Sequence, residues 1–111
     1  MKLPLDITFR NLDSSPSLTA DIQEKADKLE LFYGDIIRCS VVLEAQHKHH
    51  HKGNLYHCRI EISVPGEDIV VSRSPQDKHS HEDAYVAIRD AFNAAKRQLD
   101  SFAEKRHAHS A

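Results

Sequence analysis

Three glycines in 111 residues leave little room for loop chemistry. A phosphate-gripping loop needs several glycines close together, so that backbone N–H groups can approach the ligand. Gly34, Gly53 and Gly66 stand far apart. No Gly-x-Ser-x-Gly, His-Glu-x-x-His or Cys-x-x-Cys occurs, and the acids are scattered rather than paired. Composition and motifs therefore point away from an enzyme and imply no cofactor and no small-molecule substrate. The two cysteines, Cys39 and Cys58, lie in runs rich in Val and Ile, which reads as two buried reduced thiols rather than a disulfide. No apolar run is long enough to span a bilayer, and the start MKLPLDITFR lacks the apolar core of a signal peptide. The expected location is cytoplasmic, with no membrane partner. Large net charge is missing too. Fifteen Lys and Arg face seventeen Asp and Glu, a balance of −2, so a nucleic-acid face must come from local clustering.

Periodicity is what the chain does have. Its longest regular stretch is Ser80 to Arg106, in which Tyr85, Ile88, Phe92, Ala95, Leu99 and Phe102 recur at spacings of three and four. That spacing predicts a helix with one apolar face. Ser80 suits the N-cap, with Asp83 as the acid that reaches back. Upstream, Leu3, Leu5, Ile7 and Phe9 alternate with polar residues, predicting a half-buried strand at a sheet edge, with Pro4 near its start. Ser15-Pro16 opens a helix whose stripe is Leu18, Ile22, Ala26, Leu29 and Tyr33, with Gly34 as its stop. Residues 37–45, 56–64 and 69–74 read as three further strands, with Pro65-Gly66-Glu67-Asp68 as a turn.

The order is β-α-β-β-β-α. The simplest packing is an α+β two-layer sandwich, a four-stranded sheet with both helices on one face. Strands one and two run parallel through a right-handed crossover. No repeat or linker appears, so residues 1–106 form one domain and 107–111 a frayed tail. The topology brings the loop around His47, His49, His50 and His51 to the same end of the sheet as His79 and His81.

Two surface signals remain. Histidine is abundant, with nine in all. The run HKHHHK is a candidate metal loop through His47, His49, His50 and His51, with His79 and His81 nearby. Its lysines repel a dication, and a structural site wants rigid, supported ligands. Adventitious metal binding, or contact with nucleic acid, is the competing account. Basic residues are the second signal. Arg89 and Lys96 lie together beside the stripe of the long helix, with Arg97 further round. Lys25 and Lys28 flank the first helix, where pairing with Asp21 and Glu24 is the plain alternative. With the helices side by side, these cations would merge in the groove between them, a strip suited to phosphate backbones.

At this point a resemblance enters. Asp83, Tyr85, Ala87 and Ile88 form D-x-Y-x-A-I, and nine residues after Ile88 comes Arg97-Gln98-Leu99. The first helix carries Lys25-x-x-Lys28-Leu29, followed by Asp35-x-Ile37. In this order, from about residue 3 to 106, the chain resembles the short ribosome hibernation promoting factors and ribosome-associated inhibitors of bacteria. The resemblance implies a fold similar to double-stranded-RNA-binding domains and binding to the small ribosomal subunit in the mRNA and tRNA channel. It also implies silencing of translation under stress or in stationary phase, without catalysis. Lys25, Lys28 and Arg97 match basic positions of the family, whereas Arg89 stands where an acid is usual, Ala94 where a lysine is, and Ser101 at a further basic position. The chain is expected to lack the C-terminal dimerisation domain of the long members and so not to pair ribosomes through it. The expected ribosomal RNA contacts are Lys25, Lys28, Arg89, Lys96 and Arg97, and the protein is expected to be monomeric off the ribosome. The alternatives are a non-ribosomal interaction module of the same fold and a histidine-based metal or pH sensor.

Overall fold

The computed structural model describes residues 4–47, 54–73 and 83–110. Six elements follow in the expected order. They are β1 (Leu5–Arg10), α1 (Pro16–Phe32), β2 (Arg38–His47), β3 (Asn54–Val64), β4 (Glu67–Arg73) and α2 (Ala84–Ser110). They form an α+β fold with one four-stranded sheet in the order β1-β2-β3-β4. β1 pairs parallel with β2, and the other two ladders are antiparallel.

Local chemistry explains the ends of α1. The Ser15 hydroxyl accepts the Leu18 N–H at 3.2 Å, and Pro16 occupies the first turn, where its missing N–H costs nothing. At the other end the Tyr33 N–H donates to the Leu29 carbonyl at 2.9 Å. Gly34 was the expected stop, yet its backbone is not left-handed. Positive φ is confined, among the described residues, to Asn11 and Gly66. Tyr33 ends the helix instead, leaving the helical region itself. Gly66, at φ 90°, makes the β3–β4 turn. That turn is tighter than the sequence predicts. Glu67 and Asp68 belong to β4 and pair with Val64 and Ser63, which leaves only Pro65 and Gly66 between the strands.

α2 departs from expectation at its start. The Asp83 carboxylate accepts the Tyr85 N–H at 2.9 Å, and the Asp83 carbonyl accepts from Val86 and Ala87. Asp83 is therefore the cap rather than a capping-box acid; Ser80 lies outside the described residues. The helix then runs through Ser110.

The core lies between sheet and helices. Cys39, Val41 and Leu43 of β2 and Cys58, Ile60 and Ile62 of β3 are fully or almost fully buried against α1 and α2. α1 contributes the expected stripe of Leu18, Ile22, Ala26 and Leu29. On α2 the buried arc is richer in alanine than the sequence stripe suggests, with Ala84, Ala87, Ala91, Ala94 and Ala95 beside Ile88, Phe92 and Leu99. Small side chains let the helix axis come close to its neighbours. Tyr85 was expected to face the sheet, but it is 45% exposed. It sits about 100° round the helix from Ala84, at the margin of the arc. Ile37 likewise lies just before β2 and is exposed.

The two thiols are free and buried, and burial pushes both up to about 12. They stay protonated at neutral pH and provide no nucleophile. No helix of the described residues is long and apolar enough to cross a membrane.

Candidate nucleic-acid interface

The sheet has one face covered by helices and one face open. The open face carries Arg10, Arg38 and Arg59, but acids accompany them. Arg38 donates to Asp6 at 2.8 Å. Across the ladders Arg10 stands opposite Glu44, which in turn stands opposite His57. Asp68 and Glu61 complete a surface of mixed sign. Such a face offers no net attraction to a polyanion.

The helix layer differs. Lys25, Lys28, Arg89, Lys96 and Arg97 all project from it, and they are not equivalent. Lys25 is half-buried, and its ammonium sits 2.8 Å from the Asp21 carboxylate one turn earlier. The other Asp21 oxygen is buried without a hydrogen-bond partner among the described residues. Arg89 is exposed and leans on its neighbour Asp90, with nitrogen–oxygen distances of 3.3 and 3.4 Å. Lys28, Lys96 and Arg97 are exposed, and among the described residues they form no ion pair. The alternative pairing of Lys28 with Glu24 does not form among the described residues. Three of the five sequence candidates thus present uncompensated charge, and two are partly neutralised in place.

Helical geometry distributes these charges. Arg89 and Lys96 are seven residues apart, hence within about 20° of each other on the α2 surface, and Arg97 is about 100° beyond Lys96. The basic arc of α2 therefore covers much of its solvent side. Ala94 is only 2% exposed, beneath the helix. Lys96 lies about 200° from it and presents its charge on another side. A lysine at position 94 would have to run its stem out from the core edge.

The junction of the helices holds an acid that sequence spacing does not reveal. The Tyr33 hydroxyl, just past α1, donates to the Asp100 carboxylate of α2. Partial burial, this hydrogen bond and the charge of Asp100 push the Tyr33 hydroxyl up to about 12. It remains a donor at physiological pH and fastens the end of α1 to the middle of α2. The same contact puts a carboxylate where an unbroken basic groove was expected. The cations are better described as two patches on adjacent helices than as one strip.

The histidine candidates contribute less. His49, His50, His51, His79 and His81 lie outside the described residues, as does the side chain of His47. The strand registers do bear on their placement. His47 stands opposite Asn54, and Cys58 opposite Arg73. β2 therefore ends, β3 begins and β4 ends at one end of the sheet; the histidine segments themselves lie outside the described residues. Among the described residues no group of three or more His, Cys, Asp or Glu is placed to hold a metal ion.

Comparison with known proteins gives this geometry a context. The family model described as sigma 54 modulation protein / S30EA ribosomal protein matches residues 5–107. Two solved structures share the fold. One is a ribosomal subunit interface protein from Coxiella burnetii, with a TM-score of 0.75 and 15% identity, over 92% of this chain and 99% of that one. The other is the N-terminal domain of Protein Y from Thermus thermophilus, with a TM-score of 0.64 and 17% identity, again over 92% and 99%. No curated protein sequence matches.

Proposed function

The chain belongs to the sigma 54 modulation protein / S30EA ribosomal protein family, and from that membership we propose that it is a cytoplasmic, ribosome-associated inhibitor of translation. Its target is ribosomal RNA of the small subunit, in the channel that mRNA and tRNA otherwise occupy. It acts by steric exclusion during stress or stationary phase and catalyses nothing. The observation that carries this reading is the set of exposed cations Lys28, Lys96 and Arg97, unpaired among the described residues, on adjoining helices of a domain that the family match covers almost end to end.

Phosphate contacts neutralise charge and release condensed counterions, so each cation adds sequence-independent affinity. They position the protein without reading bases. The net charge of −2 then has a use. Exposed cations on the helix layer, opposite a sheet face of mixed sign, favour one orientation on RNA. Lys25 and Arg89 are secondary contacts, because phosphate must first displace Asp21 or Asp90. Off the ribosome the protein is a monomer.

Competition tests this placement. Small subunits preloaded with mRNA and initiator tRNA should exclude the protein on a sucrose gradient, while empty subunits retain it. Equal retention on loaded and empty subunits would remove the channel from the proposal.

A further inference from the structure

Tyr85 is in phase with the apolar stripe of α2, yet its ring stands 45% exposed while Ile88, Phe92, Ala95 and Leu99 of the same stripe are buried. Among the described residues the Tyr85 hydroxyl has no hydrogen-bond partner, and the ring pairs with no other ring. An aromatic side chain held half in water offers a flat face to a ligand.

The surroundings are basic along one line. Arg89 follows Tyr85 by four residues and Lys96 by eleven, so they lie about 40° and about 20° from it round the helix. Along the axis they stand about 6 Å and about 16 Å further on. Ring and cations therefore share one side of α2, with Phe92 buried along its inner margin.

The acids near this line are engaged or turned away. The Asp83 carboxylate accepts the Tyr85 N–H at 2.9 Å. Asp90 lies about 140° round the helix from Tyr85. Its contact with Arg89 is exposed, at 3.3 and 3.4 Å, and such pairs hold weakly. Asp100 is about 22 Å further along α2 than Tyr85 and accepts from the Tyr33 hydroxyl. Lys96 forms no ion pair among the described residues.

Cations alone hold any phosphate backbone. An exposed ring in line with them adds a second kind of contact, to the face of an unstacked base. Tyrosine suits that role, because its ring turns on few torsions and its hydroxyl stays hydrated at the rim. A closed duplex keeps its bases stacked inside and offers the ring none.

We propose that Tyr85 is a stacking platform for an unpaired base of ribosomal RNA, with Arg89 and Lys96 on the phosphates beside that base. This rests on the ribosomal reading above and adds to it a preference for RNA with splayed bases over closed helix. Every base has a face, so the ring selects unpaired structure rather than one nucleotide.

The test uses two probes, intact small subunits and the same subunits' RNA freed of protein. Tyr85→Ala, Tyr85→Leu and Tyr85→Phe are compared with wild type, and a thermal melt establishes that each keeps the fold. Tyr85→Ala and Tyr85→Leu should each bind roughly tenfold more weakly on both probes, the loss expected for one stacked base. Tyr85→Phe, which keeps the ring, should stay within about twofold of wild type. None of the three should change the slope of log affinity against log salt, because no cation is lost, whereas Lys96→Ala should flatten it by about one. Wild-type affinity in Tyr85→Ala or Tyr85→Leu would overturn the stacking assignment. Tyr85→Phe as weak as Tyr85→Ala would do the same, since it gives the contact to the hydroxyl. A loss confined to intact subunits would assign the ring to a ribosomal protein and overturn it as well. Wild-type protein that binds neither probe would overturn the ribosomal reading itself, and the stacked base with it.

Discussion

Lys28→Ala/Lys96→Ala/Arg97→Ala should lower affinity for small ribosomal subunits by roughly two to three orders of magnitude near 0.1 M salt. Each phosphate contact releases close to one counterion, so each contributes about a tenfold factor at that salt concentration. These three side chains are exposed and form no ion pair among the described residues, so no competing carboxylate has to be displaced when phosphate arrives. Their removal also leaves no buried partner behind, and surface substitutions of this kind usually change stability by less than about 0.5 kcal/mol each. The loss should therefore appear in binding and not in the melting curve. The pair Lys25→Ala/Arg89→Ala is the internal control. It removes two cations already engaged by Asp21 and Asp90 and should cost less per charge. Binding is measured by co-sedimentation across a range of protein concentrations. A triple variant that still binds like the wild type would move the RNA face off the helix layer.

The second large effect concerns the layer that carries those cations. Ile88→Ala should destabilise the fold by about 2–5 kcal/mol, because Ile88 is fully buried on α2 and the cavity it leaves can close only in part. Tyr85→Ala, three residues earlier, should cost less than about 1 kcal/mol, since the ring is 45% exposed. Sequence periodicity puts both residues on the same apolar face, so the contrast separates the observed packing from the expected one. Denaturant midpoints at constant slope decide it. Comparable losses for both would return Tyr85 to the core. For a domain of this size a loss at the upper end approaches its whole stability, and Ile88→Ala should then fail to bind subunits because α2 no longer holds Lys96 and Arg97 in place.

Most of the fold is legible in the residues because the apolar pattern changes period cleanly. Alternation marks the strands, and spacing of three and four marks the helices. What periodicity weighs badly is alanine. Ala87, Ala91 and Ala94 look like filler in a helical stripe, yet they are the close-approach surface of α2, while Tyr85 looks like an anchor and is not. Helix ends were legible where a side chain makes the cap, as at Ser15, and obscured where two candidates compete, as at Ser80 and Asp83. The candidate site was legible as a list of cations and not as a field. Spacing shows that Lys25 can reach Asp21, and the ion pair forms; the same spacing offers Glu24 to Lys28, and that pair does not. Choosing between them depends on which rotamers the neighbouring packing allows. The Tyr33–Asp100 contact joins residues 67 apart in sequence, so no local pattern announces it. It interrupts the basic groove that a helical wheel draws.

The salt dependence of binding to intact small subunits tests the central claim most directly. It is measured at constant magnesium, with and without a zinc-selective chelator. Three to five phosphate contacts predict that log affinity falls with log salt at a slope of about −2 to −4, with no response to the chelator. A flat salt response would contradict a cation-held protein on ribosomal RNA. Loss of binding on chelation would assign the contact to the histidine-rich loop instead.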